Sequence, residues 1–151
     1  MYDNIDSLFK DLQKDIKEVI SNEVSKAGKD CLKNAIDRKV YSRIPKVYQR
    51  TYTLKDSVNA KVLFQYAQAE LSFYNNPNMM LKTRYPSTMK NRSQDNTKFI
   101  SQWINDGHTL WGKGFYKKTN YMELAENNME TIVRRALVNG LKARGYKAKS
   151  K

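Results

Sequence analysis

Residues 58–73, VNAKVLFQYAQAELSF, decide the fold. Val58, Ala60, Val62 and Phe64 alternate with Asn59 and Lys61, and Ala67, Ala69, Leu71 and Phe73 alternate with Gln68, Glu70 and Ser72. Side chains on a strand point to opposite faces in turn, so period two marks half-buried strands. The two runs predict a hairpin turning near Gln65 and Tyr66. On either side the period changes to that of a helix. Upstream, Ile5, Leu8, Leu12, Ile16, Val19, Ile20, Val24, Ala27, Cys31 and Ala35 advance in steps of three and four. That spacing puts them on one stripe of a helix from about Asp3 to Arg38. Asp3 or Asn4 suits its start. Gly28 interrupts it at a cost of about 1 kcal/mol relative to Ala. Such a helix is roughly 50 Å long, more than a small domain needs to cover its core. Packing against the sheet is the commoner use of such a stripe; the alternative is that part of it, with Leu12 and Ile16 as candidates, meets neighbouring subunits.

The helix must stop before Pro45, because proline disfavours helical backbone at the residue it follows. Downstream of the hairpin, residues 75–98 (NNPNMMLKTRYPSTMKNRSQDNTK) show no periodicity and read as a long loop or arm. Met79, Met80, Tyr85 and Met89 are apolar side chains that such an arm would offer to another subunit. FISQWIND (99–106) is a short strand or one to two helical turns, stopped at Gly107. Residues 108–118 form a glycine-punctuated loop. A second helix runs from about Asn120 to Arg144, with capping-box spacing at Asn120 and Glu123 and Gly145 placed to end it. The expected architecture is α+β: a long N-terminal helix, a hairpin-based antiparallel sheet, a long central loop and a C-terminal helix. One domain spans residues 1–145, and 146–151 form a basic tail.

The chain has 151 residues, with 28 Lys and Arg against 15 Asp and Glu, and a net charge of +13. Its mean hydropathy is -0.79 and its isoelectric point about 9.8. That excess points first to nucleic acid, and equally to acidic neighbours in an assembly. Lys142, Arg144, Lys147 and Lys149 are the candidate contacts with DNA or an acidic partner. One cysteine, Cys31, excludes an intramolecular disulfide. No apolar run reaches bilayer length and the start lacks a secretory pattern, which implies a protein made in the cytoplasm.

Catalytic and metal signatures are missing. His108 is the sole histidine and has no Cys or second His at ligand spacing. No phosphate-binding glycine loop or nucleophile elbow occurs. The expectation is a protein without enzymatic activity or cofactor. Tyrosines and arginines interleave at the junctions (Tyr41, Tyr48, Tyr52 with Arg43, Arg50), which suits core wedging, protein interfaces or single-strand platforms.

VYSRIPKVYQRTYTLKDS (40–57) resembles the turn of the small tail-completion or minor tail proteins at the head–tail junction of tailed phages. Members of that family open with a long helix and carry an Arg-Thr-x-x-Leu-x-x-Ser-like sequence before a hairpin. An aromatic-rich strand ending near Gly and a final helix follow. The matching residues are Arg50, Thr51, Leu54 and Ser57, then Trp103 and Gly107. Many members carry Gly where Tyr52 stands. The resemblance implies a homo-oligomeric ring in the virion neck, joining the portal complex to the tail around the genomic DNA. Its neighbours would be connector or stopper proteins and the tail terminator or tail tube, with no catalytic residues. The alternative is a small basic nucleic-acid-binding protein, and a phage nuclease stands behind it.

Overall fold

The computed structural model describes residues 5–42, 52–65, 68–80, 97–110 and 113–149. The fold is α+β and open, with the long N-terminal helix, the antiparallel hairpin and the C-terminal helix expected from the sequence. Helix α1 (Ile5–Val19) passes through a π-turn at Ile20–Val24 into α2 (Ser25–Ile36), and a second π-turn covers Asp37–Tyr41. A short helix α3 (Thr53–Asp56) leads into strands β1 (Val58–Gln65) and β2 (Gln68–Asn75). Helix α4 (Thr97–Asp106), a small hairpin of β3 (His108–Leu110) and β4 (Lys113–Tyr116), and α5 (Tyr121–Ala143) complete the chain.

The π-turn changes which residues of the long helix face inward. Ser25 Oγ donates to the Ile20 carbonyl at 3.1 Å, a side chain inserted where the helical ladder widens. Beyond it the buried face is Ser25, Gly28, Cys31, Leu32, Ala35 and Ile36. Ala27 falls to the edge of that face, a correction to the uniform stripe read from the sequence. Gly28 is no weak point. A Cβ there would lie 2.1 Å from Phe73 Cζ, so the glycine is the slot into which the hairpin's aromatic ring fits.

In the main hairpin Val58 pairs with Asn75, Ala60 with Phe73, Val62 with Leu71 and Gln65 with Gln68. Ala60, Val62, Phe64, Ala69, Leu71 and Phe73 therefore share one face, as alternation predicts. That face is covered at the Val58–Asn75 end and opens toward the tip, where Phe64 is 37 % exposed. Lys17 of α1 reaches across to lie 5.9 Å from the Phe64 ring centroid. The turn residue Tyr66 and Ala67, read as the start of the second strand, lie outside the described residues.

The core joins Leu32, Ala35 and Ile36 of α2 to Leu54, Val58, Met80, Ile100, Tyr121 and Ala125. A smaller cluster sits under the π-turn, where Val19 packs on Gly140. Three further readings are corrected. Residues 77–79 form a 3-10 turn and Met80 is buried, so the arm's start belongs to the core. Its end is helical too, because α4 begins at Thr97. Residues 108–116 are a hairpin rather than a loop: strands of three and four residues interrupted by Gly112 and Gly114 are too short to show a period.

The capping box does not form. Asn120 is left-handed (φ 52°) and makes no side-chain cap. Asn105 of α4 replaces it, its Oδ1 accepting from the Met122 amide at 2.9 Å. Its carbonyl accepts from the Thr119 and Asn120 amides, each at 3.1 Å. At the other end Gly145 (φ 89°) closes α5. Its amide donates to Lys142 and that of Tyr146 to Leu141, the paired bonds of a Schellman cap.

Candidate interaction surfaces

The turn before the hairpin is held by a buried polar chain. Tyr121 is fully buried, and its hydroxyl donates to Asn75 Oδ1 at 2.9 Å. Asn75 Nδ2 donates to the Leu54 carbonyl (2.7 Å) and to Ser57 Oγ (3.0 Å), and Ser57 Oγ donates to Leu54 (2.8 Å). Buried polar groups are tolerated only when paired, so this chain fixes α3, β2 and α5 against one another. Burial raises the Tyr121 phenol far above its ordinary range and keeps it a neutral donor. Leu54 is itself buried in the core. Two of the family-motif residues are thus structural pins. Asn75 and Tyr121, which complete the chain, carry no local sequence signal.

Tyr52 stands at the mouth of this turn with φ 57°. Left-handed backbone costs a non-glycine residue roughly 1–2 kcal/mol. An edge-on contact with Tyr41, ring centroids 4.8 Å apart, accompanies it. The Gly that the resembling family places here is the residue such a backbone favours. Arg50 and Thr51 lie outside the described residues. Of the remaining motif positions, Trp103 stacks on Phe99 at 5.9 Å, and Gly107 ends α4 with φ 83°.

Helix α1 overhangs the body. Its inner end is clamped by the C-terminus of α5. Arg144 donates to Glu23 Oε1 at 2.9 Å, with Glu18 and Asp15 at 3.9 and 4.0 Å. Tyr146 donates to Asp15 Oδ2 at 2.6 Å. The hydrogen bond from Arg144 holds the Glu23 carboxyl below its usual range. Outward of Asp15 the stripe loses its cover: Leu12 is half-buried, Phe9 57 % exposed and Ile5 70 % exposed. Ile16, nearer the clamp, is half-buried. Among the arm candidates, Met79 is 52 % exposed, Met80 is buried in the chain's own core, and Tyr85 and Met89 lie outside the described residues. Arg144 faces carboxylates of its own chain, whereas Lys142, Lys147 and Lys149 are exposed.

The model of the YomN family matches residues 4–144, nearly the whole chain. The chain belongs to the YomN family. That family is phage-associated, which makes this a phage-related protein, and the small α+β fold is consistent with a structural phage protein. No curated protein and no solved structure matches it.

The YomN match spans α1 to the end of α5, so the overhang and Arg144 of the clamp lie within it, and Tyr146 lies just beyond. A groove of about 240 Å³ also opens between β2 and α5, lined by Leu32, Phe73, Met122, Ala125 and Met129. Cys31 is buried beside it, its thiol directed to the Ala125 carbonyl at 3.6 Å and raised in pKa by burial. A buried, protonated thiol is a poor nucleophile. Among the described residues no three His, Cys, Asp or Glu side chains are grouped to hold a metal ion, and no helix is long and apolar enough to cross a membrane.

Proposed function

We propose that this YomN-family chain is a non-enzymatic neck subunit of a tailed phage, a tail-completion protein connecting the portal complex to the tail. The observation that carries the reading is the turn before the hairpin. Leu54 and Ser57 stand where the tail-completion pattern has them, and both are pinned by Asn75. Tyr52 occupies the left-handed position at which that pattern has Gly. The overhanging stripe of α1 supplies an apolar surface for neighbours. Ile5, Leu8 and Phe9 would otherwise stand in water, and contiguous exposed apolar side chains mark contact sites. A closed ring needs a surface of this kind, joined to a different surface on the next copy.

The test uses a phage that encodes the chain. Leu8→Asp with Phe9→Asp changes exposed side chains, so the purified subunit should melt within about 4 °C of wild type, since each surface change rarely exceeds ~0.5 kcal/mol. Negative-stain images of lysates should nevertheless show filled heads and free tails unjoined. Complete virions in wild-type numbers would remove the neck assignment.

A further inference from the structure

Helix α5 turns one long polar face to solvent. Helical spacing places Asn127, Thr131, Arg134, Arg135, Asn139 and Lys142 on the same side, and all six are exposed. The face runs about 22 Å at 1.5 Å per residue. Its carboxylates are confined to one edge, and Glu130 is the one that lines it beside Thr131, Arg135 and Asn139. Glu123, Glu126 and Glu130 fall on one flank, where Glu130 pairs with Arg134 at 2.5 Å. Two further exposed cations, Lys147 and Lys149, follow the Schellman cap and lengthen the same end.

A solvated helix face ordinarily mixes acidic and basic residues, as α1 does with Asp6, Lys10, Asp11 and Lys14. The α5 face instead combines cations with neutral donors. A cation near the C-terminus offsets the helix dipole and accounts for Lys142, but Arg135 stands two turns further in, beyond that effect. The face also lacks an anchor for a protein partner: Val138 is its one half-buried apolar residue, and interface cores need aromatic or large apolar side chains. Guanidinium, ammonium, hydroxyl and amide groups in a row are what phosphate oxygens accept hydrogen bonds from. We infer that the outer face of α5, with Lys147 and Lys149, is a sequence-indifferent track for the phosphate backbone of nucleic acid. The surface belongs to the isolated subunit and holds whether or not the chain sits in a neck.

The experiment is fluorescence anisotropy of the full chain with short duplexes of unrelated sequence, across about 50–200 mM salt. Four cations, Arg135, Lys142, Lys147 and Lys149, give a slope of log K on log salt near about −3.6, a loss of roughly 100-fold over that range. Unrelated sequences should bind alike. Arg135→Gln with Lys142→Gln should flatten the slope by about 2, and Lys147→Gln with Lys149→Gln should do the same without touching the helix. Lys14→Gln with Lys26→Gln removes the same net charge from exposed positions elsewhere and should leave the slope unchanged. Equal losses in all three variants would show that binding follows total charge and overturn the track. So would a flat wild-type slope, or poly-glutamate binding as tightly as the duplexes.

Discussion

Gly28→Ala separates what the helix prefers from what the fold requires. In an isolated helix the substitution stabilises by about 1 kcal/mol, because glycine surrenders more backbone freedom on folding. In this fold the new methyl would lie 2.1, 2.3 and 2.8 Å from three ring carbons of Phe73. A methyl needs about 3.5–4.0 Å from carbon, so the ring must retreat by well over an ångström, or α2 and the hairpin must part. Overpacking of this kind costs about 1–3 kcal/mol. The expected net effect is a destabilisation of about 0–2 kcal/mol, opposite in sign to the helix propensity. A double-mutant cycle isolates the contact. Phe73→Ala alone should cost about 2 kcal/mol, below the 3–5 of a fully buried phenylalanine because Phe73 is half-buried. With that ring gone, Gly28→Ala should become stabilising by about 1 kcal/mol, a coupling of roughly 1–3 kcal/mol between the two sites. Urea titrations of the four proteins read the cycle directly through their midpoints. If Gly28→Ala raises the midpoint in the wild-type background, Phe73 does not occupy the slot and the hairpin's seat on α2 is wrong.

Two further changes probe the turn and the clamp. Tyr52→Gly relieves about 1–2 kcal/mol of left-handed strain and loses about 0.5–1.5 kcal/mol of contact with Tyr41. Its stability should stay within about 1 kcal/mol of wild type, whereas Tyr52→Val, branched at Cβ, should fall by about 2 kcal/mol or more on thermal melts; equal behaviour of the pair would contradict the backbone assigned to this residue. Glu23 has its carboxyl pKa lowered by Arg144, so its contribution is present above the ordinary value of 4.5 and disappears as pH falls through the lower folded value. Arg144→Ala should therefore weaken protection of α1 amides at pH 7 and shrink the wild-type difference between pH 7 and pH 3 in hydrogen exchange; an unchanged pH dependence would show that the clamp does not hold α1.

The legible parts of this fold are those in which one element alone sets the pattern. The alternation of 58–65 and 68–73 and the three-four spacing of 5–20 follow from single-strand and single-helix geometry, and both stand in the structure. The π-turn is where that logic stops. Ser25 is a polar residue that the helical period cannot read as inward, yet it is 5 % exposed, because its hydroxyl donates to the Ile20 carbonyl that the widened turn also brings to the Ser25 amide. Beyond it Cys31 and Ala35 keep the inward places that the three-four spacing gives them, Ala27 moves to the edge, and Gly28 changes from a liability into a socket. Asn120 shows the same limit. Its spacing to Glu123 is that of a cap, but Asn105, fifteen residues earlier, reaches the helix first.

The candidate surfaces divide in the same way. Leu12 and Ile16 stand on α1, and how much of its stripe is free depends on where α5 ends. Tyr146 meets Asp15, and the chain's own cover ends there, which leaves Ile5, Leu8 and Phe9 as the exposed end. Phe9 escapes a strict reading of the stripe because Leu8 already satisfies the step from Ile5. Arg144 looks like Lys142, Lys147 and Lys149 in composition. It differs only in standing on the inward side of α5's last turn, opposite Glu23. A basic tail is therefore two surfaces. One arginine binds the chain to itself, and the lysines around it remain available to a partner.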